Sequence, residues 1–181
     1  MLKLKALQLL EVIFLVAIIV LPVRFFLFEP FFVLGDSMLP NYENYDYLLI
    51  EKVSYRFHQP QREDVIIFRP PVNPHVYYIK RVIGLPGEIV KIVSGQVTIV
   101  DKSGHALKLS EPYLGRQFTP GDYEFSLNQG EFFVLGDNRG ESYDSRRWGP
   151  VSQGAIVGRV LVRVVPLREL VKVIKVGFAR Q

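Results

Sequence analysis

The sequence predicts a mainly β protein in which an N-terminal transmembrane helix is followed by an all-β domain with a small inserted β lobe. Three observations carry this. A single long apolar stretch lies near the N-terminus, short runs rich in Val, Ile, Tyr and Phe follow it, and turn residues separate those runs without any repeating βα alternation.

The apolar stretch covers residues 7–28, interrupted by Gln8, Glu11 and Arg24. At about 1.5 Å per residue a helix of this length matches the hydrocarbon core of a bilayer. Its strictly uncharged part, Val12 to Val23, has the length of a signal-peptide core or a buried helix, but the bulky Leu21-Pro22-Val23-Arg24-Phe25-Phe26 that ends it lacks the small residues of a cleavage site. A retained anchor is the expectation. Residues 1–6, with Lys3 and Lys5, then stay cytoplasmic by the positive-inside rule, and the rest of the chain lies across the membrane.

Beyond Pro30 the expected strands are Phe31 to Leu34, Tyr45 to Lys52, Val65 to Phe68, Val76 to Ile83, Ile89 to Val93, Val97 to Val100, Phe132 to Leu135 and Ala155 to Val165. They divide into a β domain of residues 31–93 and 131–166, of barrel or sandwich type, and an inserted lobe of residues 94–130, richer in polar turns. In residues 167–181, Leu167, Leu170, Val171 and Ile174 share one helical face.

Composition narrows the chemistry. The net charge of +4 comes from 22 basic and 18 acidic residues without a basic block, which argues against nucleic-acid binding. The absence of cysteine excludes disulfides and thiol nucleophiles. His58, His75 and His105 are isolated, with no second ligand at metal spacing, so no metal site is expected.

Ser37, in Gly35-Asp36-Ser37-Met38-Leu39-Pro40 just past the anchor, is the candidate nucleophile. A serine hydroxyl needs a base, and no histidine lies in a triad signature. The alternative base is a lysine kept neutral by burial. In Val76-Tyr77-Tyr78-Ile79-Lys80-Arg81-Val82-Ile83, strand alternation puts Lys80 with Val76, Tyr78 and Val82, and Arg81 on the other face with Ile79 and Ile83. Periodicity does not choose between the two cations, but arginine stays protonated and cannot be a base. From the residues alone, a structural lysine on an edge strand remains the plainer reading of Lys80. The loop from Leu135 to Pro150 crowds acids, arginines, serines and three glycines between apolar segments. It reads either as a solvated loop or as one held by Arg-Asp pairs and folded onto the core through Trp148.

Three stretches together resemble the signature boxes of type I signal peptidases: Gly-Asp-Ser-Met-Leu-Pro at 35–40, Tyr-Ile-Lys-Arg-Val-Ile-Gly-Leu-Pro-Gly-Glu at 78–88, and Gly-Asp-Asn-Arg-x-x-Ser-x-Asp-Ser-Arg-x-Trp-Gly-x-Val at 136–151. Residues 62–68 resemble a fourth box, in which the position of Glu63 is commonly glycine. The resemblance runs from the anchor to about Pro166. It implies an all-β catalytic domain of signal-peptidase type, with Ser37 as nucleophile and Lys80 as general base of a Ser-Lys dyad. It further implies that Phe31, Val33, Leu34 and Ile79 line pockets for small side chains at −1 and −3, that Ser142 orients the lysine, and that Asp137, Asp144 and Arg146 support the site. Some members carry a serine where this chain has Gly35, so the oxyanion would rest on backbone N–H groups, that of Ser37 first and that of Gly35 beside it, and a serine at 35 should be tolerated. The implied partners are precursors bearing signal peptides and the lipid bilayer, and no cofactor is implied. The competing readings are a membrane-tethered β module that binds extended peptides without cutting them, and a self-cleaving Ser-Lys protease of related fold.

Overall fold

The structure is a computed structural model that describes residue 8, residues 10–18 and residues 27–164. Residues 10–18 are helical, and among the described residues no helix is long and apolar enough to cross a membrane. Residues 7, 9 and 19–26 of the expected N-terminal span, and all of residues 167–181, lie outside the described residues. At the end of that span one boundary changes, because Phe28 already belongs to the first strand.

The mainly β class is observed. Eleven strands are described: β1 (Phe28–Phe32), β2 (Tyr47–Glu51), β3 (Val65–Phe68), β4 (Tyr78–Gly84), β5 (Ile89–Val93), β6 (Gln96–Val100), β7 (Ala106–Lys108), β8 (Tyr123–Ser126), β9 (Glu131–Leu135), β10 (Val151–Ser152) and β11 (Ile156–Val164). Seven form one sheet in the order β1-β2-β11-β3-β4-β9-β10, and four form a second in the order β7-β6-β5-β8. All the pairings are antiparallel.

Three differences from the expected strands have physical causes. β1 begins three residues early and leaves Val33 and Leu34 outside it, because it is an edge strand, and an edge accommodates Pro30 opposite Leu49. β7 and β8 carry no apolar run because they are the edges of the small sheet, with β7 exposed throughout. β4 is central, flanked by β3 and β9, so Lys80 does not sit on a sheet edge.

Alternating residues of the central strands feed two cores. Val65, Ile67 and Ile79 pack with Val33, Met38, Leu48 and Ile50 on one face, while Ile66, Phe68 and Val82 pack with Phe132, Val134 and Val151 on the other. A third cluster joins Ile83, Phe133 and Leu135 of the large sheet to Val90, Ile92, Val97 and Ile99 of the small one, so the two sheets share a core.

Glu63, at the turn into β3, has φ +72 and an exposed side chain. An L-residue in this left-handed region is strained by about 1–2 kcal/mol, part of which glycine would offset through its greater unfolded-chain entropy. Glu63→Gly is therefore expected to raise stability by about 0.5–1 kcal/mol, read as a higher denaturant midpoint with unchanged slope.

Candidate active site

Ser37 and Lys80 are brought together by packing that starts from two unrelated segments. After β1 the chain is closed by a backbone pair, with Val33 N–H donating to Asp46 O at 3.0 Å and Tyr45 N–H to Val33 O at 2.8 Å. Within this loop Met38, fully buried against Val33 and Ile79, anchors the turn that presents its neighbour Ser37. Lys80 comes from the middle of β4, opposite Ile66 of β3. Its amine donates to Ser37 Oγ at 2.7 Å and to its neighbour's carbonyl, Ile79 O, at 3.0 Å.

Lys80 is only 4% exposed. Burial pulls its amine down from an ordinary 10.5 to about 8; the carboxylates of Asp144 and Asp137 act against this shift, and the Arg146 guanidinium acts with it. The amine also lies over the Tyr78 ring, 5.5 Å from its centroid, on the face that strand alternation gave them both.

The pair opens onto a groove of about 850 Å³. Phe31, Val33, Leu34 and Ile79 all line it, and Phe31 meets Tyr77 edge to face at 5.3 Å. The remaining wall includes Asn138, Glu141 and Tyr143 from the loop after β9.

That loop is rigid because its charges are paired. Asp144 caps the one-turn helix Ser145–Trp148, receives both Nε and Nη2 of Arg146 at 2.8 Å, and accepts Gly136 N–H at 3.1 Å. Asp137, fully buried, takes Arg81 Nε at 2.8 Å and Nη2 at 2.5 Å, and also Asn41 Nδ2 at 2.8 Å. Arg139, equally buried, donates to Gly136 O at 3.0 Å and pairs with Glu111, which follows β7 in the chain. Trp148 folds back against Phe68, with ring centroids 5.9 Å apart. The solvated-loop alternative is thereby excluded.

Asp137, Asp144 and Arg146 thus surround the site as ion-paired struts. Ser142 differs from its expected role: its Oγ is buried without a hydrogen-bond partner, and the Lys80 amine bonds elsewhere. Gly35 differs as well. Its N–H donates to Asn44 Oδ1 at 3.1 Å and is not available to an oxyanion, whereas Ser37 N–H has no partner among the described residues. At φ +99 a serine at 35 would be strained by its backbone even though the space is open, so the expectation of tolerance is corrected. Sequence reasoning passed over Asn41, Glu111 and Asn138 as site residues, since each acts through a partner distant in the chain. Asn138 was signalled by its place in the motif at 136–151, whereas Asn41 and Glu111 lie outside the quoted motifs.

Among the described residues no group of three His, Cys, Asp or Glu could hold a metal ion, and none of the three histidines lines the groove. Chemically, a buried lysine amine with a lowered pKa, 2.7 Å from a hydroxyl and lining an apolar groove, suits a hydrolase of peptide bonds that works through a serine.

Comparison with known proteins agrees. Residues 6–165 match the family described as signal peptidase, peptidase S26. A signal peptidase I of Leptolyngbya laminosa is 40% identical over 163 residues, covering 84% of this chain and 76% of that protein. A probable signal peptidase I-1 of Synechocystis is 41% identical over 159 residues, covering 82% and 77%. The crystal structure of a signal peptidase I from Enterococcus faecalis superposes with a TM-score of 0.50 at 34% identity, over 58% of this chain and 98% of that one. The chain belongs to the signal peptidase, peptidase S26 family and is a serine endopeptidase.

Because burial lowers the Lys80 pKa below that of the unfolded chain, folding releases a proton between about pH 8 and 10.5, and stability rises with pH across that window. Below pH 8 the buried ammonium is a constant penalty. Lys80→Met, apolar and of similar length, is expected to be more stable than the parent at pH 7 and to lose the rise between pH 8 and 10.5, as read by denaturant titration at several pH values.

Proposed function

We propose that Ser37 is the nucleophile and Lys80 the general base with which this peptidase removes N-terminal signal peptides from precursor proteins, cutting after small residues at −1 and −3. The observation that carries this reading is the 2.7 Å bond between a buried, partly neutral lysine amine and a serine hydroxyl at the end of an apolar groove.

The reaction follows from the parts. Neutral Lys80 takes the Ser37 proton, and the oxygen attacks the carbonyl of the −1 residue. The free N–H of Ser37 receives the developing oxyanion. Collapse forms a serine ester and expels the new amino terminus, which takes its proton from the Lys80 ammonium. Water, deprotonated by the same amine, then attacks the ester and releases the signal peptide, returning the proton to Ser37.

Substrate binding is supported by the edge position of β1, which among the described residues pairs only with β2 and can accept an extended peptide as an added strand. Phe31, Val33, Leu34 and Ile79 would then face alternate side chains of that peptide and leave room only for small ones. Membrane attachment through the apolar stretch that precedes β1 is supported by residues 10–18, and a cytoplasmic N-terminus by Lys3 and Lys5 through the positive-inside rule. Residues 10–18 are helical, and Leu10, Phe14 and Ile18 are each more than half exposed, as befits a helix whose partner is lipid. Sharing the bilayer with a precursor raises the effective concentration of the cleavage site.

Purified full-length protein in detergent or lipid vesicles is expected to cleave a precursor after a small −1 residue, and Ser37→Ala and Lys80→Ala are each expected to lower the rate at least about a thousandfold. Undiminished cleavage by either variant would remove the dyad. Since only the neutral amine acts as base, kcat/KM should fall about tenfold per unit as pH drops below 8 and level off above it. A flat profile from pH 6 to 9 would exclude Lys80 as the base.

A further inference from the structure

We propose that Asn138 is a positioning residue that holds both peptide groups flanking Ser37, and through them aims the hydroxyl at Lys80 and the Ser37 N–H at the oxyanion. The inference rests on Ser37 and Lys80 forming the dyad.

Asn138 makes two bonds to the nucleophile's backbone across a separation of about a hundred residues. Its side-chain Nδ2 donates to Asp36 O at 3.0 Å, and its backbone N–H donates to Ser37 O, also at 3.0 Å. Asp36 O belongs to the same planar group as Ser37 N–H, on opposite edges of a trans peptide. A bond that fixes the carbonyl edge therefore fixes the direction of the N–H, and donation to the carbonyl makes the N–H a stronger donor through polarisation of the group. Ser37 O belongs to the next peptide group. With both planes held, φ and ψ of Ser37 are set, and so is the direction of its Cα–Cβ bond, from which Oγ meets the Lys80 amine at 2.7 Å.

The remaining contacts show why this residue matters beyond a generic loop bond. Asp36 O also accepts Leu39 N–H at 3.2 Å, an ordinary turn bond that the chain makes with itself. Asn41, further along the same turn, bonds Asp137, but among the described residues it is Asn138 that ties the two peptide groups flanking Ser37 to the ion-paired loop, which is held at Gly136 by Asp144 and Arg139 and at Asp137 by Arg81. Gly136 sits so close that a Cβ there would lie 2.4 Å from Ser37 O, so the loop backbone and the nucleophile's carbonyl are in direct register. Since a peptide N–H directed by a rigid framework stabilises a transition state without reorganising, its loss should weaken the transition state and leave substrate binding in place.

The experiment compares full-length protein with Asn138→Ala, which removes only the side-chain bond, and with Asn138→Asp, which sets a carboxylate against Asp36 O. Asn138→Ala is expected to lower kcat about tenfold and Asn138→Asp more, with KM within about twofold. The Ki of a peptide aldehyde, whose hemiacetal with Ser37 places an oxyanion at the N–H, should rise by the same factor as kcat/KM falls. Affinity for the unreactive product peptide should not change, and the acid limb near pH 8 should stay in place. Retained kcat in Asn138→Ala would overturn the proposal. So would a fall in product affinity and thermal midpoint in step with kcat, the mark of a structural role alone. Ser37→Ala in the same assay separates the two levels: if it still cleaves, the dyad fails; if it is dead while Asn138→Ala is fully active, only the positioning role fails.

Discussion

Everything in this molecule turns on taking the amine of Lys80 out of water. An exposed lysine at neutral pH is an ammonium and no base, so the proposed role of Lys80 requires the fold to bury a charge-prone group beside a neighbour able to surrender a proton. Placing it at the centre of β4, with Ile66 across the strand and sheet on both sides, achieves the first condition. The approach of Ser37 to 2.7 Å meets the second.

The same desolvation would be undone by any stray carboxylate, yet Asp137 and Asp144 are close enough to act on the amine. Their charges are largely spent on arginines. Asp137 is gripped by Arg81 through two nitrogens, and Asp144 by Arg146. In low dielectric such bidentate pairs are stable only when both partners are held, and each of these is fixed by strand or helix cap as well as by its mate. The loop after β9 thereby becomes a rigid wall, one that contributes to the groove and also grips the backbone at Asp36 and Ser37.

The small sheet takes part in this wall. Arg139 reaches from the loop to Glu111 and Thr119, beyond β7, and its burial is complete. The inserted region is therefore coupled to the site through a paired charge as well as through the shared core of Ile83, Phe133 and Leu135 with Val97 and Ile99.

The sequence by itself determined the β character of the chain, the identity of the serine and lysine, and the family, because apolar alternation and the motifs at 35–40, 78–88 and 136–151 are local and survive in one dimension. It also marked Glu63 as an oddity, and the structure explains the mark by its positive φ. Only the tertiary structure decided what those residues are worth. Alternation assigned Lys80 to a face but could not say whether that face was covered, and β4 turned out to be central rather than an edge. Gly35 looked like an oxyanion donor until Asn44 was seen to occupy its N–H, and Asn138 looked like one more polar loop residue until folding set it against Asp36 and Ser37. Burial and hydrogen-bond partnership across a hundred residues depend on which strands pair, and strand pairing is a property of the whole chain.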